Sequence, residues 1–379
     1  MKKIILRVAA LLALPAALTG AVACGGTPIG ENKSYYLQDD GIYPAVSAPY
    51  EEESRAAIER WKSAKSNKEE VAKEVAAELY AYACYNEEYL DRYVYFSSQT
   101  GYTDLGKDGY GNVTTQNYKL IINADEQKNQ PGYKYHYTIK KVNEADGKME
   151  SYKNLFEQGR LRFVTDTTLL YRFECEEEDT IKYVTDAETG EQTDVLTCGW
   201  VTGKDWGSID PPIEKREGQK LTLSGIEEDI TALADNGEAV IHGNVNILAD
   251  NILRSATITE GAMDGHTVYE ITMELDIEVA NTDKASQTML KNANEASECK
   301  WIDDAEGNGP TITFQIWDNG LMKYYRMDEQ WQGTMVYAVI FRFEGKATSS
   351  QEVWYSYSDG DTDMTEKLAM LDAAKQQVG

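Results

Sequence analysis

Histidine is almost missing from this chain of 379 residues, with three copies, His136, His242 and His266. None has a Cys, Asp or Glu at the spacing a zinc site uses, so each reads as an ordinary sheet residue rather than a ligand. Positive charge is also short, with 37 Lys and Arg against 64 Asp and Glu and a formal net charge of -27. That imbalance excludes nucleic acid as an expected partner, because phosphate binding needs clustered cations, and it points to solubility as the plain use of the acidity. Long apolar runs are lacking too. The stretch Val8 to Leu18 falls well short of the roughly 20 residues a spanning helix needs.

Catalytic and metal signatures are equally scarce. Thr222-Leu223-Ser224-Gly225 lacks the first Gly of a hydrolase elbow, and Ser224 reads as a helix cap before Ile226-Glu227-Glu228. Asp359-Gly360-Asp361-Thr362-Asp363 begins like a calcium loop, but Met364 and Met370 stand where the loop needs Gly and Glu. The run Glu176-Glu177-Glu178-Asp179 belongs to a solvated turn rather than to a glycosidase pair. The expectation is a non-enzyme with no cofactor and no resident metal.

What is present begins at the amino terminus. Lys2, Lys3 and Arg7 precede the apolar run, the layout of a secretory signal peptide over residues 1–23. Ala21-Val22-Ala23-Cys24-Gly25-Gly26 follows and resembles the lipobox of bacterial lipoproteins, with Ala21 where that motif usually has Leu. The resemblance implies cleavage before Cys24 and a diacylglycerol on its sulfur, which would hold the protein at the outer face of the cell membrane. Losing three cations and no anions takes the net charge from -27 to -30. That charge repels anionic headgroups, so attachment must rest on acyl chains. Residues 24–50 are rich in Gly, Pro, Ser and Asn and read as a flexible tether of about 28 Å typical reach.

Four further cysteines, Cys84, Cys175, Cys198 and Cys299, allow three complete pairings. If residues 160 to 201 form a three-stranded meander, the outer strands lie about 10 Å apart and a Cys175–Cys198 bridge cannot close. A bridge there needs the first and third strands to be direct neighbours; free buried thiols are the other reading.

Residues 51–220 read as an N-terminal α+β half and 221–379 as a C-terminal half, divided by the loop at 204–220. Glu51 to Lys65 is helical, and Ser66-Asn67-Lys68-Glu69 reads as a capping box before a second helix with Val71, Val75, Leu79 and Tyr82/Ala83 on one stripe. Alternation predicts strands at 132–142, 160–175, 179–185 and 193–201. From Tyr269 to Val279 the odd positions are apolar and the even ones mostly acidic, a strand with one buried face. A helix follows from Thr282 to Glu295. Asn319-Gly320 then reads as a two-residue type I′ turn that pairs Ile316 with Lys323, Phe314 with Tyr325 and Ile312 with Met327. Phe341 and Phe343 extend the pattern, Val353 to Tyr357 makes a last strand, and Met364 to Gln376 a closing helix. The 25 Tyr, with Trp200, Trp206, Trp301, Trp317, Trp331 and Trp354, are read as filling for a half-buried sheet rather than as sugar platforms.

The tether, leading helix, one-sided antiparallel strands and inserted helix resemble the LolA-like and LppX-like lipoproteins. The likeness is best over residues 221–379, through Gly265-His266-Thr267-Val268-Tyr269 and Trp317-Asp318-Asn319-Gly320-Leu321-Met322. It implies an α+β fold in which a strongly curved antiparallel sheet forms a half barrel with helices on its concave face. It further implies a cavity for an apolar or lipid-like ligand. The residues assigned to that cavity are Tyr269, Ile271, Met273, Leu275, Ile312, Phe314, Ile316, Tyr325, Met327, Phe341 and Phe343. The alternative is a packed surface-recognition or scaffold lipoprotein that contacts cell-wall glycan or a partner protein.

Overall fold

The computed structural model describes residues 43–104, 110–122, 133–145, 152–163, 169–175, 182–185, 192–195, 198–202, 219–235, 250–263, 265–294, 298–337 and 341–357. The signal segment, Cys24, most of the tether, His242, the acidic run at 176–179, the loop at 203–218, the calcium-like run and the closing helix lie outside these residues. No described helix is long and apolar enough to cross a membrane.

Two helices lead, α1 (Glu51–Ser63) and α2 (Lys68–Tyr89). The capping box does not form. Asn67 occupies the cap position, so Glu69 falls at the second helical residue rather than the third, where it could reach back. Helix α2 is buried well beyond its expected stripe: Val71, Val75, Leu79, Tyr82 and Ala83 are covered, and so are Ala72, Ala76, Ala77, Tyr80, Ala81 and Tyr85. Five of these are alanines, which cost little helix propensity and let other elements approach closely. It is a core helix rather than a surface lid.

The strands are β1 (Arg92–Asp104), β2 (Tyr110–Ile122), β3 (Tyr133–Ala145), β4 (Tyr152–Phe163), β5 (Leu169–Cys175), β6 (Lys182–Thr185), β7 (Gln192–Val195) and β8 (Cys198–Thr202). After α3 (Leu223–Asp235) come β9 (Leu253–Met263), β10 (His266–Leu275), α4 (Ile277–Ala280), α5 (Lys284–Asn294), β11 (Glu298–Trp301), β12 (Thr311–Trp317), β13 (Met322–Tyr337) and β14 (Phe341–Ser356). Twelve strands form one open antiparallel sheet in the order β8-β5-β4-β3-β2-β1-β14-β13-β12-β10-β9, with β11 beside β13, while β6 and β7 pair apart. The two halves of the chain therefore share one sheet, joined where Val94–Asp104 pairs with Lys346–Ser356. Strand β5 lies directly against β8, and Cys175 faces Cys198 in the register. The meander that would have kept those cysteines apart is not the arrangement adopted.

Three local readings are corrected. Strand β10 stops at Leu275 rather than continuing to Val279, because the Asp276 carboxylate accepts hydrogen bonds from the backbone N–H of Glu278 (3.0 Å) and Val279 (3.4 Å) and starts α4. The cap of α3 is Thr222, whose hydroxyl accepts from the Gly225 N–H at 3.2 Å, so Ser224 is already inside the helix. The β12–β13 turn has three residues rather than two. Trp317 N–H donates to the Leu321 carbonyl (3.0 Å), Gly320 N–H to the Trp317 carbonyl (2.9 Å), and Gly320 takes φ +86°. This is a type I turn closed by a left-handed glycine. It pairs Ile316 with Met322, and a bulge at Lys323 then restores Phe314 opposite Tyr325 and Ile312 opposite Met327.

Candidate functional site: the two faces of the sheet

Nine of the residues assigned to a ligand cavity are brought together on one face: Tyr269, Ile271, Met273 and Leu275 from β10, Ile312, Phe314 and Ile316 from β12, and Tyr325 and Met327 from β13. Each is 6% exposed or less. Helix α2 helps cover this face. The Tyr80 ring meets Phe314 edge-on at 5.4 Å between centroids and lies 6.3 Å from Tyr325. Val75, Ala76 and Leu79 are fully buried in the same apolar cluster. The greasy face is thus satisfied by the protein's own helix, at the close packing of an interior. Phe341 and Phe343 sit opposite Tyr337 and Met335 in the β13–β14 register, and their side chains lie outside the described ones.

Polar groups lie close to this core. Tyr80, Cys84, Tyr325 and Tyr357 are deeply buried, and burial raises each hydroxyl and the Cys84 thiol well above its ordinary range. A thiol held protonated in this way is inert rather than nucleophilic. Glu329 follows Tyr325 and Met327 at the same parity of β13, so it points to the same face. The Trp301 indole N–H donates to its Oε2 at 2.6 Å, and burial pushes the carboxyl up to about 7. Asn86 is fully buried near the end of α2. Its Oδ1 accepts from the Tyr50 N–H (2.8 Å) and its Nδ2 donates to the Gly320 carbonyl (3.0 Å), tying the leading segment to the hairpin turn.

His266 stacks on Tyr43 at 3.6 Å between ring centroids, and the Tyr43 hydroxyl donates to Asp318 at 2.6 Å. The His266 ring is used in packing against Tyr43. Among the described residues no group of three or more His, Cys, Asp or Glu could hold a metal. An open surface pocket of about 520 Å³ is lined by Ala48, Pro49, Glu51, Glu52, Arg55 and Lys220, a charged lining unsuited to an acyl chain.

The other face behaves differently in the two halves. Across β10, β12 and β13 it carries polar residues such as Glu270, Gln315 and Arg326. Crossing β14 into the N-terminal strands, the register sets aromatic positions in one row. Tyr324 of β13 pairs with Trp354, Trp354 with Phe96, Phe96 with Tyr118 and Tyr118 with Tyr137. The same row continues through Gly159 to Phe173 and Trp200. Directly opposed residues share a face, so eight neighbouring strands carry one row with seven aromatic residues and a glycine. A second row beside it reads Val94, Leu120, Tyr135, Leu161 and Tyr171. At its β14 end the row is closed in, with Trp354 2% exposed and 5.6 Å from the Tyr324 ring.

No protein-family model and no curated protein matches the chain. Among solved structures it is similar to a beta-barrel-like protein of domain of unknown function DUF1849 from Brucella abortus, at 12% identity and TM-score 0.20, over 71% of this chain and all of that one. The α+β class and the long antiparallel sheet rest on the chain's own elements and strand register.

Proposed function

We propose that the chain is an extracytoplasmic lipoprotein, anchored to the membrane through Cys24, that binds an apolar or lipid-like ligand on its sheet. In this reading the sheet bends into a LolA-like half barrel with α2 on the concave side. The binding surface lies on the N-terminal strands rather than on the face first assigned. The observation that carries it is the strand register, which sets Tyr324, Trp354, Phe96, Tyr118, Tyr137, Phe173 and Trp200 in one cross-strand row. The β10–β12–β13 face is occupied by the helix, so it serves stability.

Native mass spectrometry of the detergent-solubilised full chain from its exporting host tests this. Co-purifying lipid or uptake of a fluorescent fatty acid is expected, and Tyr137→Asp with Phe173→Asp should abolish it. A ligand-free chain with no uptake overturns the proposal.

A second reading has its own support in the tight packing of the nine core residues: a scaffold that contacts cell-wall glycan or a partner protein without a ligand cavity. Retention on peptidoglycan without bound lipid would favour it.

A further inference from the structure

Strand β9 closes one end of the sheet, and among the described residues its strand pairing is with β10 alone. It is long for an edge, 11 residues against 5 in β8 at the opposite end. An edge presents unpaired N–H and C=O groups, and proteins blunt it with short strands, prolines or lysines. Strand β9 has no Pro and no Lys, and its two charged side chains are engaged: Arg254 bridges Glu274 and Asp303, and Glu260 meets Lys62 at 2.6 Å. Thr257, Thr259, Glu260, Gly261 and Ala262 are all exposed, and four of these five are small.

The helices set a second chemistry beside that edge. Lys62 of α1 reaches Glu260 and the Tyr269 hydroxyl (3.1 Å), and Lys73 of α2 donates to the Leu253 carbonyl at 3.0 Å. These bonds hold the α1–α2 corner along the flank of β9, at Glu260 towards one end and at Leu253 at the other. From 60 to 68 the corner carries Arg60, Lys62, Lys65 and Lys68 and no acid, in a chain of net charge -27. Arg60 and Lys62 are paired, with Glu78 and Glu260. Among the described residues no carboxylate bridges Lys65, Lys68 or Lys73; Lys68 lies over the Trp61 ring at 5.2 Å. Glu69 stands one helical turn before Lys73, the spacing of a surface ion pair, yet the ammonium turns to the strand instead.

We propose that β9 takes up an extended, acid-rich peptide segment of a partner protein as an added strand. Main-chain hydrogen bonds to the free edge supply the pairing, and the small side chains of β9 let the incoming backbone approach. Side chains alternate along such a strand, so every second residue lies on the α1–α2 side, where carboxylates come within reach of Lys65, Lys68 and Lys73. At physiological salt, exposed charges further than about 8 Å are screened, so the segment answers to these lysines rather than to the charge of the whole chain. The site uses neither the aromatic row nor the lipid anchor, and stands or falls apart from the function proposed above.

The test is fluorescence polarisation of a short labelled peptide of alternating Glu and Val against the detergent-solubilised full chain, with hydrogen exchange followed over residues 253–263. Saturable binding is expected, together with slower exchange of the β9 amides. The same peptide N-methylated at every backbone nitrogen keeps its charge but cannot pair, and should not bind. Reversing two exposed lysines, Lys65→Glu with Lys68→Glu, should weaken binding by about tenfold, and added salt should weaken binding to the parent. Failure of the Glu–Val peptide to bind overturns the proposal. So does binding that the N-methylated form shares, that the lysine changes leave intact, or that leaves the β9 amides exchanging as before. Amides of β9 already slow in the chain alone would show the edge held by its own leading segment or by a second copy, and would overturn it too.

Discussion

Replacing Glu329 by Gln should stabilise the protein above neutral pH and do nothing for it in mild acid. The carboxyl lies half-buried on the apolar side of β13, and burial pushes it up to about 7, although the Trp301 N–H works the other way. An unfolded Glu titrates near about 4.3. Between the two values the folded state binds the extra proton, so this group favours folding at low pH, and stability falls as pH rises through the window from roughly 4.5 to 7. Above about 7 the penalty is complete, with a ceiling of about 3.5 kcal/mol from the shift alone. Because the side chain keeps some contact with water, about 1–2 kcal/mol is the better figure. Gln keeps the shape and an acceptor for Trp301 but carries no charge. Urea unfolding of parent and Glu329→Gln at pH 8 should therefore differ by about 1–2 kcal/mol in favour of the variant, and by about zero at pH 4.5. Taking the difference between the two proteins cancels every other titrating group they share. A variant no more stable at pH 8, or an advantage that persists unchanged in acid, would refute the reasoning.

Asn86→Ala should cost about 3 kcal/mol in urea unfolding, because it strands a buried N–H at Tyr50 and a carbonyl at Gly320; a loss under about 0.5 kcal/mol would mean water replaces the amide. Gly320→Ala should cost about 2–3 kcal/mol, since φ is +86° and the new Cβ would lie 2.5 Å from Ser54 Oγ and 2.8 Å from Ser54 Cβ. Adding Ser54→Gly should recover the steric part and leave the backbone part, read from the same urea midpoints. Cys175 and Cys198 face each other in the register of β5 and β8, so in an oxidising medium the protein should carry them as a disulfide worth about 3 kcal/mol by loop closure. Peptide mapping without reductant reads this out, and alkylation of both thiols would contradict it; Cys84 and Cys299 are buried.

The C-terminal half was the more legible because each strand there buries one face. Alternation from Tyr269 placed Ile271, Met273 and Leu275 correctly, and the pairs Phe314–Tyr325 and Ile312–Met327 hold even though the turn was misread. The extra turn residue and the bulge at Lys323 cancel, so a wrong turn led to the right register. Ile277 and Val279 continued the alternation beyond the strand's end, and only the competing hydrogen bonds of Asp276 stop it. The occupant of the apolar face was illegible for a plainer reason: a side chain covered by helix and one covered by ligand follow the same alternation. The exchange of apolar character between faces was invisible as well. Tyr133, Tyr135 and Tyr137 alternate with Lys134 and His136 within β3, but which side they take relative to β13 is set by register carried through four intervening strands. Glu329 did leave a trace, as the one acid in the sequence of odd positions Tyr325, Met327, Glu329 and Trp331.

The bonds made by Tyr43, Tyr50 and Asn86 also decide where a pull from the amino terminus would be felt. Tension arriving along the residues before 43 first meets the Tyr43–His266 stack and the Tyr43–Asp318 bond, and only after these yield does it reach the Tyr50 N–H on Asn86. Both stations grip the short β12–β13 turn or the strand beside it, so such a load would be borne there, ahead of the helices and the N-terminal strands.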